Sequence, residues 1–260
     1  MRDDAIVYLM YHEIEVEGRS LCQSEPGYVR YIVREPDFRE QITWLQSAGM
    51  GGVSVSDALS NKTPEGVVIT FDDGCETDLI VAAPILSAAN FGATFYITVG
   101  YLGQPGYLIP RQVRELSDAG FEIGCHSMTH PYLSDLADQE LSREIAEAKT
   151  RLEEMIGRPV HHFSCPGGRW SPKVSAVARR AGYRSITTSR IAVNHRTSDP
   201  FRLARIAVMR GTTFGAFQDL CRGQGLWQRQ VRNFLQSSSH RLLGNALYDR
   251  LRGLMLERKA

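Results

Sequence analysis

Short apolar runs alternate with amphipathic helical patterns through most of the chain, and no other feature limits the fold as much. The runs "AIVYLMY" (5–11), "GVVITF" (66–71), "ATFYITVG" (93–100), "FEIGCH" (121–126), "VHHFSC" (160–165) and "RSITT" (184–188) have the β-branched and aromatic content of strands. Between them lie helical patterns. "PDFREQITWLQSAGM" puts Phe38, Ile42, Leu45 and Ala48 on one face and ends at Gly49; "PILSAANFG" opens on Pro84, where a first turn tolerates proline; "RQVRELSDAG" follows. The longest, "ADQELSREIAEAKTRLEEMIGRP", repeats Leu141, Ile145, Ala148, Leu152 and Met155 or Ile156 at helical spacing before Gly157 and Pro159, and "SPKVSAVARRAGY" supplies another helix. Repeated βα units predict helices packed around a mainly parallel sheet. Six or seven units fit before residue 215, and 260 residues suffice for one α/β barrel.

Past "RIAVMRG" the pattern turns wholly helical. Residues 221–260 hold eight Lys/Arg against two Asp/Glu, a net +6, which leaves −5 for the rest of a chain whose total is +1. The expected organisation is a barrel over 1–215 and a basic helical C-terminal extension over 216–260. In that extension Leu243, Leu247, Leu251 and Leu254 or Met255 can form an apolar stripe. Two readings of the tail stay open: an amphipathic helix packed on the barrel, or a basic surface giving peripheral association with an anionic membrane leaflet. The near-neutral total does not suggest nucleic acid as a partner. The opening "MRDDAIVYLMYHEI" reads as a strand rather than a leader, because its apolar run is short and no small-residue cleavage site follows. No run approaches the roughly 18–20 apolar residues of a bilayer span. Five irregularly spaced cysteines fit a reducing compartment, so the expectation is a cytoplasmic protein.

Polar clusters follow the expected strands: His12, Asp72 with Asp73, His126 with His130, and the glycines after Pro166. On a parallel barrel such strand ends share one rim, where active sites are assembled. The doublet in "VVITFDDGCETD" is costly at the end of a buried strand unless a cation compensates it. "HSMTH" offers two imidazoles spaced to reach one ion; with one carboxylate of the doublet they make a two-histidine, one-carboxylate site with open positions, leaving the other carboxylate as general base. Competing chemistries fit poorly. The adjacent aspartates are not the two-apart pair of haloacid-dehalogenase-type phosphoryl transfer, Ser127 stands where a zincin needs glutamate, and no phosphate-binding G-x-x-x-x-G-K-[ST] loop occurs.

Together "TFDDG", "HSMTH" and "FSCPGG" resemble the polysaccharide deacetylase family, also called carbohydrate esterase family 4 or the NodB-homology domain, over roughly residues 5–215. The resemblance implies a distorted (β/α)7 barrel and hydrolysis of N-acetyl groups on sugars, assisted by one divalent ion of the zinc type. Carried over residue by residue, it implies Asp73, His126 and His130 as metal ligands, Asp72 as base and the Gly167 N–H as oxyanion donor. The third motif departs from the usual R-x-P: Ser164 and Cys165 precede Pro166, and the nearest arginine is Arg169 in "PGGRW", a candidate to orient Asp72. Trp170 beside it is a candidate wall for a sugar. The late Leu-x-His that commonly supplies the proton donor is absent, whereas "YLMYHEI" looks like the first strand of circularly permuted deacetylases, in which an early histidine has that role. His12 is therefore the expected general acid, with His195 as the alternative. Cys75, Cys125 and Cys165 adjoin motif residues and are expected to pack rather than react. Two further readings stand beside N-deacetylation: a binding-only member of the fold, and an O-deacetylase or amino-sugar deformylase.

Overall fold

Seven parallel strands curl around a common interior in the computed structural model, which describes residues 5–60, 66–227 and 230. They are β1 (Val7–Tyr11), β2 (Gly66–Phe71), β3 (Thr94–Ile97), β4 (Glu122–Cys125), β5 (His162–Ser164), β6 (Ser185–Thr187) and β7 (Ile206–Ala207). Neighbours run in the order β7-β1-β2-β3-β4-β5-β6, and β1 pairs with β2 from Val7↔Val67 to Tyr11↔Phe71. The segment before β7 spans the remaining gap. Leu203 makes a parallel bridge to Thr187, donates its N–H to the Ile186 carbonyl at 2.9 Å and accepts from the Thr188 N–H at 2.9 Å. A short strand, Gly51–Val53, pairs with the first half of β2. The result is the expected distorted (β/α)7 barrel.

Side chains alternate inward and outward along each strand, because successive residues of a pleated strand face opposite sides. Val7, Leu9 and Tyr11 of β1, Val67, Ile69 and Phe71 of β2, Phe95, Ile123, Phe163 and Ile186 all join the main core between sheet and helices. Tyr11, Phe71 and Phe95 stack there in series, with ring centroids 5.3 and 4.9 Å apart, and Phe38 packs edge-on against Tyr11 and Phe71. Aromatic pairs of this kind are each worth about 0.5–1.5 kcal/mol beyond burial. The other set faces inward: Tyr8, Val68, Tyr96 and Leu203 form a small apolar plug. Gly124 makes this plug possible, since a Cβ there would lie 2.3 Å from the Tyr96 ring.

Helices Glu35–Ser47 and Pro110–Asp118, and the helical run from Asp138 to Ile156 that ends at left-handed Gly157, match the periodicity of the sequence. Leu141, Ile145, Ala148, Leu152 and Ile156 are all buried. Two expectations are corrected. Ala48 follows the last helical turn and is exposed. The helix assigned to start at Pro84 starts earlier: a widened turn, Asp78–Ala82, leads into Ala83–Ala88, and such i→i+5 turns accommodate the N–H that proline lacks. Helix Phe214–Cys221 runs across the expected 215/216 division and sends Phe217, Leu220 and Cys221 into the main core beside Trp44. The apolar stripe expected over 243–255 lies outside the described residues. Among the described residues no helix is long and apolar enough to cross a membrane.

The closed end of the barrel is polar. Thr94, Glu122, His162 and Ser185, each the first residue of its strand, meet Ser56: Ser56 Oγ lies 2.8 Å from His162 Nε2, Ser185 Oγ 2.8 Å from His162 Nδ1, and Thr94 Oγ1 donates to Glu122 Oε2 at 2.5 Å. Burial alone would raise the Glu122 carboxyl, but the hydrogen bond and charge of His162, with Ser56 and Thr94, hold it down at about 2. A depressed carboxyl stabilises the fold fully above its ordinary value of 4.5 and loses that contribution as the pH falls towards 2. We expect Glu122→Gln to be about 2–3 kcal/mol less stable than the parent at pH 7, with the gap closing below pH ~4 in urea titrations; a gap independent of pH would contradict this account.

Candidate active site

The inward phase that runs through Tyr8 and Met10 continues to His12, and the one through Val68 and Thr70 continues to Asp72. Gly124 leads likewise to His126, and His162 to Ser164. Four strands thus deliver a histidine, a carboxylate, a second histidine and a hydroxyl to one rim. By the same alternation Cys125 and Cys165 point outward into the main core, where burial pushes both thiols up to about 12. Their proximity in sequence to the motifs is a matter of packing.

Asp72 is buried and held by a residue that sequence reasoning missed. Arg205, immediately before β7, sends its side chain along the barrel interior. Its Nη1 donates to Asp72 Oδ1 and its Nη2 to Asp72 Oδ2, each at 2.7 Å. The remaining guanidinium donors are also used: Nη1 reaches Thr70 Oγ1 at 3.2 Å, Nε the Thr188 carbonyl at 3.2 Å, and Nη2 Ser164 Oγ at 2.7 Å. Ser164 in turn donates to Asp72 Oδ2 at 3.3 Å. Burial by itself would raise the Asp72 carboxyl, yet the charge of Arg205, then His126, and the Arg205 hydrogen bonds keep it far below the usual carboxylate range. Arg169, the expected partner of Asp72, instead lays its guanidinium 4.2 Å from the centroid of the Tyr132 ring. The available signal was an arginine inside the strand-like run "LARIAV".

Asp73 follows at the turn out of β2, and its positive φ of 80° swings it towards the histidines. Its Oδ1 lies 3.7 Å from His126 Nε2 and 3.6 Å from His130 Nε2, and it is buried without a hydrogen-bond partner. One ligand atom from each of the three residues falls within 4.8 Å of the others. His126 donates Nδ1–H to the Ser164 carbonyl at 2.9 Å, which leaves the Nε2 lone pair facing Asp73. Burial lowers the His126 pKa to about 4, so the ring is neutral at pH 7, as a ligand must be. An orphaned carboxylate oxygen opposite two imidazole nitrogens suits a divalent cation, and the donor set fits zinc-type ions. Ser127 and His130 also have positive φ, 70° and 64°. Backbone strain of about 1 kcal/mol or more at each such position persists only where neighbours enforce it. Glu144 does so: it accepts the N–H of Met128 at 2.9 Å, the N–H of Thr129 at 2.8 Å and the Thr129 hydroxyl at 2.7 Å. Nothing in the sequence marked this residue.

His12 is half-buried, its ring centroid 4.9 Å from that of Tyr31, and its buried Nδ1 has no hydrogen-bond partner. Burial lowers its pKa, against the opposing charges of Asp73 and Asp72. The charge of His12 acts on Asp72, whereas His195 belongs to a turn in which its N–H donates to the Ser198 hydroxyl at 2.9 Å. Gly167, on the turn Pro166–Gly168, has φ 58°, and a Cβ there would lie 3.0 Å from the Tyr132 ring, so only glycine sits easily at this point. Trp170 packs against the core, and Arg202 covers its ring at 4.8 Å from the centroid.

Residues 60–186 match the family described as Polysaccharide deacetylase, a span holding Asp72, Asp73, His126, His130 and Gly167. The chain carries a polysaccharide deacetylase domain. His12 and Arg205 lie outside the matched span. The Bacillus subtilis protein YxkH is 28% identical over 218 residues, covering 80% of this chain and 74% of that one. A chitooligosaccharide deacetylase of Azorhizobium caulinodans is 34% identical over 130 residues, covering 49% of this chain and 60% of its own length. Among solved structures, the Streptococcus pyogenes deacetylase PplD in complex with acetate superposes with a TM-score of 0.73 at 23% identity, covering 84% of this chain and 98% of that one. That last likeness establishes the fold of the deacetylase domain.

Removing the guanidinium leaves a buried carboxylate unpaired, which generally costs about 3–5 kcal/mol. Arg205→Leu should therefore be destabilised by that order in denaturant unfolding, whereas Arg169→Leu should lie within about 1 kcal/mol of the parent. Equal losses in the two variants would contradict the assignment of Arg205.

Proposed function

We propose that the protein is a metal-dependent hydrolase that removes N-acetyl groups from an amino-sugar-containing glycan or glycan precursor. The observation that carries this reading is the meeting, at one barrel rim, of an ionised carboxylate locked by Arg205 with the Asp73–His126–His130 ligand set. A divalent ion bound by those three residues supplies Lewis acidity to the acyl carbonyl and lowers the pKa of water at the site. Asp72 accepts the proton of the attacking water, and its bidentate pair with Arg205 fixes the direction of its free lone pairs. The Gly167 N–H donates to the oxyanion that forms on the acetyl oxygen. His12 delivers a proton to the departing sugar amine. The ring takes that proton up from solvent before the step, and burial, which lowers its pKa against the pull of the acidic doublet, lets it give the proton up readily. Tyr132, beside Gly167, and Trp170 offer apolar wall for the sugar. The substrate class is supported by the name of the chitooligosaccharide deacetylase relative. The binding-only reading rests on the missing motif arginine and the missing late histidine, and the pairing of Arg205 with Asp72 weighs against the first of these grounds.

Acetate release from N-acetylated chitooligosaccharides should vanish on chelation and return with Zn2+; release that survives chelation would remove the metal from the reaction. His12→Ala should lower kcat by about 10²–10⁴ with metal content unchanged, and near-parental turnover would reassign the acid. Glu144→Ala should weaken metal binding by about 10–100-fold, since it frees the loop that carries His130. Unaltered affinity in a competitive chelator titration would show that the loop holds its shape without Glu144.

A further inference from the structure

A second set of ligand-type side chains lies beside this machinery and has no part in it. Glu13 directly follows His12, Cys75 is two residues past Asp73, and Cys22 belongs to the loop after the short strand Ile14–Glu15. One atom from each, a carboxylate oxygen and two sulfurs, falls within 4.8 Å of the others. The loop is fastened in place. The Cys22 N–H donates to both Glu13 oxygens, at 3.1 and 3.0 Å, and Cys22 Sγ lies 3.1 Å from the Gly106 carbonyl oxygen. A Cβ at position 106 would come within 2.8 Å of that sulfur, so the glycine is what lets the thiol in. The Tyr28 hydroxyl donates to Glu13 Oε2 at 3.0 Å and sits 3.3 Å from Cys75 Sγ. Glu13 and Cys75 are buried and Cys22 is half-buried, which leaves one side open for entry.

A second observation points the same way. Asp78 is fully buried, and neither of its carboxyl oxygens has a hydrogen-bond partner. Its N–H donates to the Cys75 carbonyl at 3.0 Å, which places a buried carboxyl group without a partner directly beside the Cys75 turn.

We propose that Glu13, Cys22 and Cys75 form a second metal site, separate from the Asp73–His126–His130 set, that takes a thiophilic divalent ion of the zinc type. Two sulfurs and one carboxylate oxygen are a donor set for such ions rather than for magnesium or calcium. Ligand atoms on a tetrahedral zinc lie about 3.3–3.8 Å apart, given bonds of about 2.0–2.3 Å, so closure from the present separations needs movements of about 1 Å. Binding replaces two S–H bonds by two metal–sulfur bonds and releases both protons to solvent, while Glu13 contributes an oxygen lone pair. The ion ties the end of β1, which carries His12, to the turn that carries Asp73, so its role is to set the distance between the two halves of the catalytic rim.

Cobalt substitution tests this without reference to turnover, because the Asp73–His126–His130 set has no sulfur. The full chain, stripped with chelator and titrated anaerobically with Co2+, should develop a near-ultraviolet thiolate-to-cobalt charge-transfer band. Cys22→Ser, at a half-buried loop position, should abolish the band; His130→Ala should keep it. Glu13→Gln should weaken cobalt binding at the sulfur site by about 10-fold or more. Thiol titration of the denatured parent should find all five cysteines free. Three free thiols with loss of the band would mean that Cys22 and Cys75 form a disulfide, and five free thiols without a band would mean that they hold no metal; either result overturns the proposal.

Discussion

The ion pair between Arg205 and Asp72 is the contact on which the rest of the rim depends. Both partners are buried, and each charge alone would be excluded from such a place. Desolvation of a buried pair offsets much of its Coulomb attraction, so the pair adds little net stability. What it fixes is geometry. Two parallel N–H···O bonds leave a carboxylate one orientation, and the third and fourth partners of the guanidinium, Thr70 and the Thr188 carbonyl, anchor the arginine to opposite sides of the barrel. Asp72 is thereby kept ionised and pointed at the space between the strands.

The interior is layered in a way that suits this role. A polar floor built on Glu122 and His162 seals one end, and the apolar plug of Tyr8, Val68, Tyr96 and Leu203 fills the middle. The Arg205 stem rises past Tyr96, with its guanidinium 5.4 Å from that ring's centroid, and the carboxylates and histidines form the top. Water is thus excluded from below the acidic doublet, and the electrostatic interactions at the rim act in a poorly screening medium.

The histidine-bearing loop shows a different strategy. His126 is an extension of β4, so the sheet orients it, whereas His130 sits on a strained turn whose shape is imposed from outside by Glu144. The candidate ligand set therefore combines one imidazole fixed by the sheet with one held by a loop. The cluster of Glu13, Cys22 and Cys75 repeats this pairing of a strand-end residue with a loop residue, one step further along the chain from the rim.

The sequence by itself determined the barrel, the inward phase of His12, Asp72 and His126, and the grouping of Asp73 with His126 and His130, because each follows from a local rule: strand periodicity, strand-end position or short spacing. The helix from 138 to 156 was legible for the same reason. Its widened turn at Arg143–Glu147, which turns Glu144 towards the loop, was not. Only the tertiary structure decided which arginine serves Asp72. The choice between Arg169, near in sequence, and Arg205, distant by 133 residues, depends on where β7 enters the barrel when it closes against β1, and no local pattern encodes that. The same holds for Cys22 beside Cys75. Proximity across long sequence separations is set by how the sheet closes and how loops fold back on it, which is a property of the packed whole rather than of any one segment.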